Sequence, residues 1–140
     1  MEVTANDIER IPLCNLRVSR DEFVAVWVAA ERRSTKRAEQ GVTDWYAGGV
    51  VTTCRWMARV VVRPSSGPWR LARSPVTRAT TEAYEELIEA EHQAAELLDV
   101  RRPELVNSRP GWCEAIRATL NWAWRSSGPT PITLPLRSAL

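Results

Sequence analysis

The chain has 140 residues, a net charge of +2, and a composition that is 44% hydrophobic and 26% charged. At this length one domain buries about two-thirds of the surface of its unfolded chain, so folding requires neither disulfides nor a metal. The composition excludes disordered, collagen-like and membrane proteins. It is unusual in two respects, because seven tryptophans stand beside one phenylalanine and eighteen arginines beside one lysine. The excess of arginine over lysine is typical of a GC-rich bacterial genome.

Charge is unevenly distributed along the chain. Residues 1–78 carry a net charge of +5, residues 79–100 carry −7, and residues 101–140 carry +4. Opposite patches on one small chain tend to meet, so we expect the acidic segment to pair with arginines of the same molecule. Exposed patches that bind partners are the alternative.

The cysteines and the amino terminus indicate the compartment. Cys14, Cys54 and Cys113 are an odd number without CxxC spacing, and one histidine completes no usual zinc site. Residues 1–7 are acidic and polar, which is not the pattern of a secretory signal. We therefore expect a cytoplasmic protein without metal or cofactor.

The first predicted helix covers about residues 19–40. Residues 19–22 form a capping box, apolar residues follow at helical spacing, and Gly41 suits a left-handed cap. Its last turns carry a basic group, which favours either a solvated helix end or a nucleic-acid contact. These residues are Arg32, Arg33, Lys36 and Arg37.

The second predicted helix, at about 43–62, is apolar except for one polar stripe that includes Arg55 and Arg59. Its longest uncharged stretch is about half a bilayer crossing, so it is predicted to be the central helix of the core. Gly48 and Gly49 each cost about 1 kcal/mol relative to alanine inside a helix. The pair predicts either a close helix crossing or a groove for a small molecule or peptide.

The segment 63–78 contains three prolines and four arginines and has neither helical nor strand periodicity. Ordered connections of this length are often binding elements. Trp69 is expected either to plug one end of the core or to contact a partner, with Arg70 and Arg73 beside it.

Two further helices are predicted at about 80–98 and 110–126. Thr80 or Thr81 is the expected cap of the first of these. Glu91 falls on its buried stripe, and a buried carboxylate needs a partner, for which an arginine of another helix is the expected choice. The last helix carries a second polar stripe within an otherwise apolar surface, and its members are Glu114, Arg117, Asn121 and Arg125.

No motif predicts catalysis. Glu89 and His92 have the Glu-x-x-His spacing of di-iron bundles, but such a site needs a second motif and the chain has one histidine. Phosphate-binding loops, a nucleotide-binding glycine motif and zinc-protease motifs are absent. We therefore predict no catalytic residue.

These elements predict an all-α fold within one domain, residues 1–140. The expected architecture is a four-helix bundle with a long Pro/Arg-rich crossover between its second and third helices. Segments 1–18 and 129–140 are expected to be extended. Within them, 13–18 and 132–136 either pair as a short ribbon or lie over the bundle.

The surface composition favours a non-enzymatic helical interaction module that binds another protein or itself, because tryptophan and arginine dominate protein interfaces. A nucleic-acid-associated protein is the first alternative; it would use the basic group of the first helix and the 63–78 loop. A bundle that binds a small anion, or an enzyme, built on the arginine stripes is the second. The candidate binding residues are Arg55, Arg59, Arg117, Asn121, Arg125, Trp69, Arg70, Arg73 and Glu91.

Overall fold

A computed structural model describes residues 1–64 and 67–134. The chain begins with two short helical segments, α1 (Ala5–Glu9) and a 3-10 helix (Leu13–Asn15). A capping box between Thr4 and Asp7 starts α1, as expected where a side chain satisfies free amides of the first turn. The prediction that residues 1–18 are extended was therefore wrong for these segments.

Helix α2 (Arg20–Glu39) follows the local signals of the sequence. The hydroxyl of Ser19 accepts a hydrogen bond from the amide of Glu22, and Gly41 takes the left-handed conformation at the far end. The observed bounds agree with the predicted 19–40 because both ends are fixed by residues next to the helix.

Helix α3 (Trp45–Met57) ends earlier than the predicted residue 62. Arg59 takes a φ of 55°, and the amides of Arg59 and Val60 donate to the carbonyls of Trp56 and Arg55. This is the hydrogen-bond pattern of a Schellman cap, a position that glycine usually fills. The chain then forms β1 (Val61–Val62).

Strand β1 pairs antiparallel with β2 (Arg70–Leu71), in the register Val61 to Leu71 and Val62 to Arg70. The Pro/Arg-rich segment therefore begins as a hairpin, which the sequence did not predict. In the described residues the sheet is formed by β1 and β2, and not by the predicted ribbon between 13–18 and 132–136. Residues 135–140, which include part of that ribbon and of the predicted extended tail, lie outside them.

Helix α4 (Glu85–Glu96) begins five residues after the predicted start, and its N-cap residue is Tyr84 rather than Thr80 or Thr81. The residues before α4 are held by a tertiary contact, because the buried side chain of Asn15 donates a hydrogen bond to the carbonyl of Ala83. Two short helices, α5 (Leu98–Arg101) and α6 (Pro103–Ser108), lead to α7 (Trp112–Ala123). The predicted 110–126 contains α7 with extra residues at both ends.

The structure is mostly helical, and α3 lies at its centre, packed against α2 and α7, while α4 packs against α7. Phe23 contacts Trp27 and stacks on Trp122, with ring centroids 6.2 and 6.4 Å apart. Most of the tryptophans belong to the core, including both Trp122 and Trp124 of the last helix and its end. The buried ones are Trp27, Trp56, Trp112, Trp122 and Trp124.

Candidate functional site

The arginines of the α3 stripe pair within the molecule. Arg55 donates two hydrogen bonds, of 2.8 and 2.7 Å, to the buried carboxylate of Glu31. Arg59 donates to the carbonyl of Ala83 at 2.7 Å and lies 3.9 Å from Glu82. Both guanidinium groups are therefore engaged by the protein's own acceptors.

The arginines of the α7 stripe are paired in the same way. Arg117 donates to the carbonyl of Ala95 at 2.8 Å and to Asp99 at 3.0 Å. Arg125 pairs with Glu89. The expected internal pairing with the acidic segment is therefore observed for Arg59, Arg117 and Arg125. Each of the four stripe arginines has its own carboxylate, which argues against the alternative in which the stripes bind a small anion.

Asn121, the remaining candidate of the α7 stripe, contacts His92. Its Oδ1 lies 2.7 Å from Nε2 of the imidazole, whose Nδ1 is buried and has no hydrogen-bond partner among the described residues. Glu89 pairs with Arg125, whereas His92 contacts Asn121, so the two residues of the Glu-x-x-His motif have different partners. Within residues 1–64 and 67–134, no three His, Cys, Asp or Glu side chains are grouped as metal ligands.

Glu91 is buried, as predicted, but its partner is not an arginine. Its carboxylate accepts hydrogen bonds from the amides of Val76 and Thr77 and from the Thr77 hydroxyl. The turn is closed further by Ser74, whose amide donates to the carbonyl of Ala79 and whose hydroxyl accepts from the Ala79 amide. Backbone amides satisfy a buried carboxylate as a cation would, so the prediction of an arginine partner was wrong.

The Glu91-bound turn carries an arginine cluster, which we define as Arg70, Arg73, Arg78 and Arg109. Partial burial lowers the pKa of the Arg78 guanidinium, the positive charges of the other three lower it further, and Glu91 opposes them. Among the described residues none of the four is in an ion pair with a carboxylate. Glu91 is the carboxylate that opposes these charges, and it is already hydrogen-bonded to the turn, so the cluster indicates a site for an anion from outside.

Arg109 is fixed in the cluster by aromatic contacts. Its guanidinium lies 5.3 Å from the ring centre of Trp45 and 4.9 Å from that of Trp112. Cation–π contact holds the planar group in place without consuming its hydrogen-bond donors. Those donors therefore remain available for an anionic ligand.

A cleft of about 470 Å³ opens beside the cluster. Helix α3, the turn at 75–78, helix α6 with the residues on either side of it, and the first residue of α7 form its walls. We call it the Gly48 cleft. Its lining residues are Trp45, Gly48, Thr52, Pro75, Val76, Arg78, Arg102, Leu105, Arg109 and Trp112.

The two glycines of α3 have different surroundings. A Cβ on Gly49 would lie 2.7 Å from the carbonyl oxygen of Trp112 and 2.8 Å from Cβ of Ala115, so α7 crosses α3 at this point. A Cβ on Gly48 would meet no atom within 4 Å. The predicted close crossing therefore explains Gly49, whereas Gly48 lines the cleft.

The basic end of α2 is partly neutralised. Arg33 donates to the Asp44 carboxylate at 2.7 Å, and Arg37 lies 4.0 Å from it. Burial raises the pKa of this carboxyl, but hydrogen bonds from Ala47 and Arg33 outweigh burial and leave the pKa below its ordinary value. Arg32 and Lys36 instead line an open cleft together with carboxylates.

Trp69 lies on the surface with 63% of its area exposed, so the expectation that it plugs one end of the core was wrong. It lines a cleft between the hairpin, which contributes Val61 and Val62, and the amino-terminal residues Glu2 and Asp7. This position, next to Arg70 of the cluster, makes it available to a partner.

Sequence reasoning missed Arg78, Arg102 and Arg109. The segment 63–78 contains four arginines and no carboxylate, which is a signal for Arg78. Arg109 lies far along the chain in what was predicted to be an ordinary helix start, and only the tertiary fold brings it to the loop.

The three cysteines differ in accessibility: Cys14 is exposed, while Cys54 and Cys113 are buried. Burial raises the pKa of both buried thiols, and the negative charge of Glu31 adds to this at Cys54. Because the thiolate is the reactive form, Ellman's reagent should react rapidly with Cys14 alone and with the others only after unfolding in guanidinium. A Cys14→Ser variant should lose the fast phase, and a second fast thiol would contradict the observed packing.

Comparison with known proteins adds no family assignment, since no family model, curated protein or solved structure matches the chain. In the part of the chain that the structure describes, the helices are too short or too polar to cross a membrane. The class that the fold and the site define is therefore a mostly helical protein with an arginine cluster on one face.

Proposed function

We propose that this protein is a non-enzymatic helical interaction module that binds an acidic segment of another protein. The observation that carries the proposal is the arginine cluster, whose four guanidinium groups have no carboxylate partner among the described residues. The docking site is the part of the cluster next to Trp69, namely Arg70 and Arg73, with Trp69 as the apolar anchor. Arginine and tryptophan are the residue types that contribute most to protein interfaces.

The chain's own acidic segment is mostly occupied elsewhere. Five of its seven carboxylates, between residues 79 and 100, are engaged by arginines or by the turn at 74–79, which leaves little to neutralise the cluster. A partner supplies the missing negative charge in this proposal. The engaged residues are Glu82, Glu85, Glu89, Glu91 and Asp99.

The surroundings of Trp69 favour a protein partner over a nucleic acid. Its cleft is lined by the apolar side chains of Val61 and Val62, and Glu2 and Asp7 offset the charges of Arg55 and Arg63 there. A phosphate backbone finds no excess of positive charge in such a cleft, whereas an acidic peptide can place an apolar side chain in it and its carboxylates on the arginines beside it. The basic end of α2, on which the nucleic-acid alternative relied, is partly engaged by Asp44.

The proposal includes the setting of the module. The four longest helices would form a four-helix bundle within a single domain, which the packing of α3 on α2 and α7 and of α7 on α4 supports. The cytoplasm of a bacterium would be its location, which the buried thiols of Cys54 and Cys113 and the excess of arginine over lysine support.

Isothermal titration calorimetry with a short unlabelled peptide of glutamate and leucine residues tests the proposal. We expect binding that weakens with salt, and a loss of about tenfold or more in the Arg70→Ala/Arg73→Ala variant, since interface arginine contacts are worth about 1.4 kcal/mol or more. Trp69→Ala should weaken binding as well. Arg20→Ala, at an exposed arginine outside the cluster, is the matched control and should bind the peptide as the parent does.

A single-stranded DNA oligonucleotide of equal charge is the second probe. If the protein bound the DNA more tightly than the peptide, and Arg70→Ala/Arg73→Ala abolished DNA binding, the nucleic-acid function would be favoured over the proposal. Failure of the peptide to bind at low salt would overturn it. A dimer in sedimentation without any probe, dissociated by Arg70→Ala/Arg73→Ala, would show that the acidic segment belongs to a second copy of this chain.

A further inference from the structure

Gly48 has no structural explanation within the fold. Glycine inside a helix lowers the stability of the protein relative to alanine. At Gly49 this cost is offset, because the missing side chain lets α7 pack closely against α3. At Gly48 a side chain would enter open space. That open space is the Gly48 cleft, whose wall Gly48 forms. The absence of a side chain at this position therefore keeps the cleft open.

The cleft has the chemistry of a site for a doubly charged anion. Arg78, Arg102 and Arg109 line it, and the hydroxyl of Thr52 is a further donor. Arg102 pairs with Glu104, and both side chains are more than half exposed, so this ion pair is weak and a doubly charged anion in the cleft competes well with it. The three guanidinium groups around the cleft carry more positive charge than the single carboxylate of Glu104 can neutralise.

The local backbone also supports a site. Arg78 takes a φ of 58°, a conformation that non-glycine residues adopt at a cost. The turn that imposes it is held by the buried carboxylate of Glu91. Strained residues fixed by their surroundings are concentrated at binding sites, and this one places a guanidinium at the rim of the cleft.

The remaining walls are apolar and partly aromatic. The indoles of Trp45 and Trp112 flank Arg109, and Leu105 lies beside them. At about 470 Å³ the cleft is within the usual range of small-molecule sites, about 300–1,000 Å³. It therefore has room for a flat body in addition to the charged group.

We infer that the Gly48 cleft binds a small phosphate ester with a flat aromatic body, its phosphate held by Arg78 and Arg109 and its body against the half-buried side chains of Trp45 and Leu105. This site goes beyond the proposed docking of an acidic protein segment, although it shares part of the arginine cluster. The two activities separate at Gly48, because Gly48 lines this cleft whereas Trp69 lines a different one.

Isothermal titration calorimetry with adenosine monophosphate and phenyl phosphate tests the inference. Each ester should bind more tightly than inorganic phosphate and than adenosine or phenol alone, because both halves of the cleft contribute. Gly48→Leu should weaken ester binding at least tenfold by filling the cleft, and should leave acidic-peptide binding unchanged. Arg78→Gly should also weaken ester binding at least tenfold without lowering Tm, because glycine accepts the left-handed conformation.

Thermal unfolding of the glycine variants supplies the matched controls. Gly48→Ala should raise Tm by about 3 °C, since it adds helix propensity without a clash. Gly49→Ala should lower Tm, because its Cβ collides with α7. The inference is overturned if neither ester binds, if Gly48→Leu binds them as the parent does, or if Gly48→Ala lowers Tm; peptide binding that survives these results leaves the proposed function standing.

Discussion

Replacing Arg55 with alanine should lower the free energy of unfolding by about 3 kcal/mol, because it removes the cation that donates two hydrogen bonds to the buried carboxylate of Glu31. The Glu31 side chain is 5% exposed and accepts two hydrogen bonds from Arg55 and one, of 3.0 Å, from the indole of Trp27. The amino group of Met1, 3.8 Å away, is too distant to replace the guanidinium hydrogen bonds. Urea denaturation followed by circular dichroism measures the loss.

A matched pair of variants separates charge burial from loss of a contact. Arg125→Ala removes a similar arginine–glutamate pair, but Arg125 and Glu89 are 45% and 34% exposed, so the expected loss is about 1 kcal/mol or less. The double variant Glu31→Gln/Arg55→Met should lose less than Arg55→Ala alone, because no buried charge remains and the introduced glutamine would still accept from the indole of Trp27. Equal losses for Arg55→Ala and Arg125→Ala would contradict this account of the buried pair.

Helix positions were predictable where the signal is local. The Ser19 hydroxyl, which accepts from the Glu22 amide, and the glycine at position 41 both lie next to α2, and its ends agree with expectation. The end of α3 carries no such signal, because an arginine, Arg59, occupies the left-handed position that glycine normally takes. The tertiary contacts of Arg59 with Glu82 and Ala83 compensate for that choice, and contacts of this kind are invisible in a single sequence.

Charge totals predicted that pairing occurs, but not every partner. The −7 of residues 79–100 implied arginine partners, and Arg59, Arg117 and Arg125 supply them. Arg55 instead pairs with Glu31 of α2, and Glu91 takes backbone amides. Any buried donor satisfies a carboxylate, so the residue types do not specify which donor it finds.

The candidate site was predictable in part. Arg70, Arg73 and Trp69 follow from a loop that is too long and too basic to be a simple connection. Joining that loop to Arg109 required the fold, since these residues are separated by α4, α5 and α6. The special position of Gly48 also required it, because adjacent glycines look alike until their neighbours are known.

Replacing Glu91 with alanine should lower the free energy of unfolding by about 3 kcal/mol and Tm by about 10 °C. The amides of Val76 and Thr77 lose a charged acceptor, and α4 loses its tether to the turn that carries Arg78. Glu91→Gln keeps one acceptor oxygen in the same place, so its loss should be smaller. Calorimetry gives Tm and hydrogen exchange gives the protection of the two amides.

The turn is also the element that positions the arginine cluster, so the same variant has a functional readout. Peptide binding by Glu91→Ala should weaken at a temperature where the protein is still folded, because Arg73 flanks the released turn. Glu86→Ala is the matched control, since Glu86 is exposed on the same helix and should change stability by about 0.5 kcal/mol or less. If both variants lost equal stability, or if the amides of Val76 and Thr77 exchanged no faster in Glu91→Ala, the carboxylate would not be what holds the turn. If these amides exchanged faster in Glu91→Ala but the affinity for the peptide stayed the same, the arginine cluster would be positioned without the help of Glu91.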